Sequence, residues 1–180
     1  MSFERVRGVL IGRYQPFHLG HLAVVREIRS SRPDDTLLLG VGSAQASYSW
    51  TNPFTAGERV EMIEAALEEA SVRGVSVVPI VDIDRHAVWV AHVESMLPTF
   101  ERVYTNNPLT RTLFERAGYA VTNPAMVERE RLEGARVRAA LAEDRGWKEL
   151  VPPAVARLLA GWQAPQRLAL LRPRPDPEGA

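Results

Sequence analysis

The chain has 180 residues, 46% of them hydrophobic, with 22 basic and 22 acidic side chains; that is one ordinary domain with a sizeable core and no bulk field for nucleic acid. Cysteine is absent, which excludes disulfides, cysteine zinc sites and a thiol nucleophile together. Lys148 is the only lysine and no GxxxxGK[ST] occurs, so a P-loop kinase or ATPase is excluded, and any phosphate grip falls to arginine, histidine, backbone amides or a metal.

The segment "MSFERVRGVLIG" is charged and then strand-like, without a signal-peptide layout. No stretch approaches the roughly 20 apolar residues of a membrane span. A cytoplasmic protein is expected. "VRGVLIGRY" reads as a buried parallel strand, and residues 21 to 31 place Leu22, Val25 and Ile28 at helical spacing before Pro33. "TLLLGVGSAQ" is a second buried strand ending in small residues. "TAGERVEMIEAALEEA" opens on a candidate N-cap, Thr55, and carries Val60, Ile63, Ala66 and Leu67 on one face.

"VSVVPIVDI" then reads as a strand and "HAVWVAHVESML" as a helix. "ERVYTNN" is a short strand, "PLTRTLFERAG" a helix with Pro108 near its start and Gly118 at its end, and "YAVTN" a fifth strand. "GARVRAALAED" and "PPAVARLLAGWQ" are two further helices. Alternation of this kind predicts one α/β domain, a parallel sheet with helices on both faces. The domain is expected over residues 1–165, with a disordered Pro-rich tail over 166–180.

One turn concentrates chemistry. "GRYQPFHLGH" lies at the carboxyl end of the first strand, where such sheets bind ligands. His18 and His21 fall on one side of the following helix's first turn, where free amides and the dipole favour an anion. Gly20, lacking a Cβ, would let a phosphate approach its backbone. Two imidazoles there suit a charged, polyoxygenated ligand; a metal would need a third ligand, and simple capping and packing is the structural alternative.

The same stretch resembles the H-x-G-H signature of the nucleotidyltransferase superfamily, whose members use a Rossmann-like fold to transfer a nucleotidyl group. "GRYQPFHLGH", "GSAQ", "NPFTAGER", "DIDRHAVWVAH" and "VYTNNPL" are together similar to the archaeal-type nicotinamide-nucleotide adenylyltransferases, in order, and the likeness runs from about residue 7 to 155. The resemblance implies adenylyl transfer from ATP to nicotinamide mononucleotide, giving NAD and pyrophosphate. It makes His18, His21 and Arg138 catalytic. It assigns Gly12, Arg13, Gln15, Phe17, His18, Gly20, His21, Asn107 and Arg138 to ATP, and Ser43, Phe54, His86 and Trp89 to the mononucleotide. Mg²⁺ is implied through the substrate phosphates, with no protein ligand singled out, and so is a homo-oligomer acting on small molecules rather than on nucleic acid or a membrane.

Alternatives stay open at several positions. Trp89 would stack on the nicotinamide ring or pack in a core. Asn107 would face the adenine nucleotide or cap a helix. Asp82 and Asp84 read as solvated loop carboxylates, Arg59 as a salt-bridging helix residue and His92 as a packed or surface residue. The chain departs from the family pattern at Glu133 and Ala135 (relatives carry Ser and Thr), at Thr51 (commonly Arg) and at His86 (Asn). Arg136 or Arg131 would have to neutralise Glu133 beside the triphosphate. These departures keep two other readings in view: a sister enzyme using another phosphorylated acceptor such as FMN, and a nucleotide-binding regulator.

Overall fold

The computed structural model describes residues 6–125 and 132–173. Five strands, β1 (Arg7–Gly12), β2 (Thr36–Val41), β3 (Val75–Pro79), β4 (Arg102–Tyr104) and β5 (Ala120–Thr122), form one parallel sheet in the order β3-β2-β1-β4-β5. The Rossmann-like α/β expectation holds. Strand order reverses at β1, so the carboxyl ends of β1 and β4 border the crevice where doubly wound sheets bind ligands.

The sheet is buried on both sides, and "TLLLGV" shows why its strands read as continuous apolar runs. Leu37 and Leu39 enter one core, with Phe17, Phe54 and Met62, while Leu38 points through the other face to Val9, Val103 and Phe114. Helices α1 (Leu19–Ser31), α2 (Ala56–Glu69), α5 (Gly134–Ala142), α6 (Pro153–Gly161) and α7 (Ala164–Leu171) contribute to the first core. Helices α3 (Trp89–Met96) and α4 (Pro108–Arg116) cover the second. Thr55 is the N-cap of α2: its hydroxyl accepts from the Glu58 amide at 3.1 Å and the Glu58 carboxylate accepts from the Thr55 amide at 2.9 Å.

Two element expectations change. The stretch "HAVWVAHVESML" is not one helix: a 3₁₀ turn, His86–Val88, precedes α3, because Val88 takes φ −121°, outside helical geometry. The expected domain end at 165 falls inside α7, so residues 166–171 are helical. Pro165 sits in the first turn, where a missing N–H costs nothing, and Leu168 is fully buried. The remainder of the expected tail, 174–180, lies outside the described residues, as does Arg131. Among the described residues no helix is long and apolar enough to cross a membrane.

Candidate active site

The H-x-G-H turn is built by its own backbone. His18 is the N-cap of α1, and its N–H donates to His21 Nδ1 at 3.2 Å. With Nδ1 an acceptor, the neutral His21 ring carries its proton on Nε2 and can donate there. The two imidazoles stack, with centroids 3.6 Å apart and planes at 21°, and Phe17 and Tyr14 hold the His21 ring at 5.5 and 4.9 Å. A Cβ on Gly20 would lie 3.2 Å from the His18 ring and from Leu132 Cβ. The glycine therefore makes room for the imidazole.

His18 is buried, and its Nδ1 has no partner in the protein. A buried ring nitrogen without a full hydrogen bond is unusual in a folded core. Burial, helped by the Arg138 charge, pushes His18 down to about 4; burial and the neighbouring His18 hold His21 well below its ordinary value. Both rings are therefore neutral at pH 7.

A pH dependence follows. The unfolded chain protonates His18 near pH 6.5 and the folded one near 4, so between these values the unfolded state holds more protons. Stability is complete above pH 6.5 and falls as the pH drops towards 4, by on the order of 3 kcal/mol. Denaturant titrations from pH 7.5 to 4.5 are expected to show a shallower acid decline in His18→Asn than in wild type. Equal declines would assign the effect to other groups.

Arg138, on α5, completes the cluster. It is buried, donates from Nη1 to the Gln15 carbonyl at 3.0 Å, and leaves Nε without a partner. Burial first, then the Arg13 charge, lowers its pKa, while Glu133 opposes them. Glu133, the exposed N-cap of α5, thus stands close enough for its carboxylate to act on the guanidinium. No ion pair joins Glu133 to Arg136 among the described residues.

Several residues expected at the substrates also make contacts within the scaffold. The Gln15 amide is spent on Phe54, accepting from its N–H and donating to its carbonyl, both at 2.9 Å. Phe17 and Phe54 are fully buried in the core, and the Phe54 backbone groups are held by Gln15. A Cβ on Gly12 would meet the Tyr14 ring at 2.9 Å, so this glycine accommodates an aromatic neighbour. Arg13 is exposed beside the cluster.

Arg59 overturns its salt-bridge reading. It is fully buried, and its guanidinium donates to the carbonyls of Thr55 (3.2 Å), Arg13 (2.9 Å), Gly42 (2.7 Å) and Ser43 (3.1 Å). No carboxylate pairs with it among the described residues. Burial, with the Arg13 charge, pushes it down to about 10, so it stays cationic at neutral pH. This side chain ties the loop after β1 to the loop after β2.

A second concavity, of about 190 Å³, is lined by Asp82, Asp84, His86, Trp89 and Asn107 together with Leu109 and Leu113. Trp89 Nε1 donates to Asp82 Oδ1 at 3.3 Å, and Ser43 Oγ donates to Asp82 Oδ2 at 3.0 Å. The Gln45 amide clasps the Asp82 backbone, accepting from its N–H at 2.9 Å and donating to its carbonyl at 3.3 Å. Asp82 is the exposed loop residue the sequence suggests, and its carboxylate and backbone also gather Ser43, Gln45 and Trp89 at this pocket. Its signal was the placement of "GSAQ" and "DID" just beyond neighbouring parallel strands, where Val41 pairs with Pro79.

The half-buried Trp89 meets Phe114 edge-on at 5.6 Å, so part of the indole packs and part lines the pocket. Asn107 caps α4 through the Thr110 amide at 3.0 Å and borders the pocket with Trp89 and His86. His92 Nε2 lies 2.6 Å from the Val81 carbonyl, a packed histidine. Among the described residues no three His, Cys, Asp or Glu side chains converge on a cation position.

A family model for cytidylyltransferase-like proteins matches residues 9–143. Nicotinamide-nucleotide adenylyltransferases of Methanothrix thermoacetophila and Picrophilus torridus are 47% and 44% identical to this chain, over 90% and 86% of it and 94% and 90% of their own lengths. That of Halobacterium salinarum is 48% identical over 90% of each chain. Among solved structures, a bifunctional NMN adenylyltransferase/ADP ribose pyrophosphatase from Francisella tularensis, complexed with AMP and a manganese ion, matches with a TM-score of 0.75 at 19% identity. The match covers 93% of this chain and 52% of that one, so the chain spans about half of the bifunctional protein, and the likeness is one of fold. Nearly half the residues are shared with the archaeal enzymes along almost the whole chain, and on that ground the chain belongs to the cytidylyltransferase-like family and, within it, to the nicotinamide-nucleotide adenylyltransferases.

Proposed function

We propose that the protein transfers the adenylyl group of ATP to nicotinamide mononucleotide, forming NAD and releasing pyrophosphate. The observation that carries this reading is the pair of neutral, stacked imidazoles beside Arg138 at the carboxyl end of β1, with a His18 ring nitrogen that no protein group satisfies. In this reaction a phosphate oxygen of the mononucleotide bonds to the α-phosphorus as the bond to the bridging oxygen of pyrophosphate breaks. The attacking oxygen is already anionic, so no side chain need act as a base. The demand is to align two anions and to stabilise charge spreading over the phosphates. His18 and His21 suit the α-phosphate as neutral donors, while Arg138 and Arg13 suit the β- and γ-phosphates.

The donors around this cluster are cationic or neutral and fit phosphate oxygens rather than a cation. Mg²⁺ would be held by the triphosphate and water, adding Lewis-acid charge stabilisation. On the acceptor side, Trp89 offers an indole to a cationic pyridinium ring, and Asp82 orients it while adding a favourable negative charge. The same reading makes the enzyme a cytoplasmic homo-oligomer.

The test is purified protein with ATP, Mg²⁺ and nicotinamide mononucleotide, following NAD and pyrophosphate together, with FMN substituted in a parallel arm. NAD formed in step with pyrophosphate is the expected result. Adenylyl transfer to FMN alone would move the acceptor assignment, and ATP binding without turnover on either would favour a regulator. In the active enzyme, Trp89→Ala should raise the KM for nicotinamide mononucleotide about 5- to 30-fold, the equivalent of about 1–2 kcal/mol of cation–π contact, with kcat little changed. An unchanged KM would return Trp89 to a packing role.

A further inference from the structure

The carboxy-terminal helix α7 reaches back onto the candidate active site through one side chain. Arg167 makes a two-pronged ion pair with Glu58, Nη1 to Oε2 and Nη2 to Oε1, both at 2.8 Å and largely shielded from solvent. The same guanidinium lies 5.2 Å over the Tyr48 ring and 5.6 Å over the Phe54 ring, and its Nη1 is 3.4 Å from the Pro53 carbonyl. One arginine thus touches the loop between β2 and α2 at Tyr48, Pro53 and Phe54, and holds the first turn of α2 as well.

That loop strings together the two halves of the site. At its start, Ser43 and Gln45 hold Asp82, which orients Trp89. At its end, the Phe54 backbone clasps Gln15, whose carbonyl holds Arg138. Between them the chain is not at rest in a locally favoured shape. Ser43 and Tyr48 adopt φ of 49° and 52°, left-handed values that residues other than glycine keep only when their surroundings impose them. Tyr48 is 60% exposed, so little packing holds it there apart from the guanidinium on its ring.

We infer that Arg167 is a positioning residue for the reaction: its fork to Glu58 latches the loop spanning 43–54 so that the mononucleotide pocket and the phosphate cluster keep a fixed separation. The inference rests on the adenylyl-transfer reading and extends it to a helix that touches neither substrate. A bidentate, stacked arginine is not replaceable by lysine at such a place, since the fork and the planar face both contribute.

The test combines kinetics with native-state hydrogen exchange on the full chain. At a temperature below both melting transitions, Arg167→Met is expected to lower kcat about 10- to 100-fold, the loss that misalignment of order 1 Å brings, while the KM for ATP stays within about 3-fold. Glu58→Gln keeps an oxygen for the Thr55 amide but loses the fork, and should lower kcat in the same direction. The double variant should be no worse than the weaker single one, since both remove one interaction. Arg167→Lys should recover only part of the rate. Amides of residues 43–54 should exchange faster in Arg167→Met without substrates present.

Unchanged kcat with a lowered melting temperature would make Arg167 a merely structural residue and overturn the proposal. So would losses from Arg167→Met and Glu58→Gln that multiply. A wild type that forms no NAD would overturn the functional reading instead; exchange in 43–54 then decides the latch alone, and unchanged rates there would reject it.

Discussion

His18→Ala is expected to lower kcat for NAD formation by about 10²- to 10³-fold, the usual loss when one preorganised donor to developing charge is removed. The magnitude follows from where the ring sits. It is buried, neutral and short of a partner at Nδ1, so it enters the reaction already desolvated and does not have to exchange water for phosphate as the charge shifts. Its side chain faces the His21 amide in a capping box without a hydrogen bond of full geometry, so alanine should weaken the helix start by no more than about 1 kcal/mol. The His18 N–H still reaches His21 Nδ1 in the variant, so the second imidazole keeps its tautomer. Steady-state kinetics should therefore show the loss mainly in kcat, with ATP affinity, followed by calorimetry, changed only a few-fold. Activity within 3-fold of wild type would remove His18 from the transition state and leave the phosphate chemistry to His21 and Arg138.

Arg59→Met should bring the largest loss of stability, about 3–5 kcal/mol, or a melting temperature lower by roughly 6–20 °C for a chain of this size. The methionine fills much of the volume but donates nothing. The Ser43 carbonyl would keep the Ala46 amide, and the Thr55 carbonyl would keep the residue-59 amide. No other donor reaches the carbonyls of Arg13 and Gly42 among the described residues, so two partly buried acceptors would lose their partner. Arg59→Lys should recover part of the loss, since an ammonium reaches fewer of the four carbonyls at once. Urea denaturation of the three proteins at pH 7.5, above the His18 transition, measures the difference. A cost below about 1 kcal/mol would mean that water replaces the guanidinium, a lesser penalty than an unmet buried acceptor carries.

Arg59 also shows where sequence reading stops. On a helical wheel it is a charged residue in "AGERV", and a charged helix residue usually finds a carboxylate or water. That it instead collects carbonyls from two loops depends on β1 and β2 being neighbours with paired ends, as Gly12 and Val41 are. Asp82 is the same case. Its partners Ser43, Gln45 and Trp89 come from a different strand end and a different helix start, so nothing local distinguished it from Asp84, which is equally exposed. Gln15, Phe17 and Phe54, expected at the ligands, show in addition a clasp and a core that the sequence did not announce.

The features legible in the chain were those whose causes act within a turn or a strand. The alternation of apolar strands and amphipathic helices, the Thr55 N-cap and the histidine pair on one helical turn each follow from period and spacing. The tertiary structure decided the strand order that places the β1 and β4 ends beside one crevice, and the burial that keeps His18 and His21 neutral. It also decided that α7, which composition alone assigned to a tail, latches the loop between β2 and α2. Local geometry depends on neighbouring residues and is written along the chain; hydrogen-bond partners, desolvation and field depend on which distant segments meet, and only closure of the sheet brings those together.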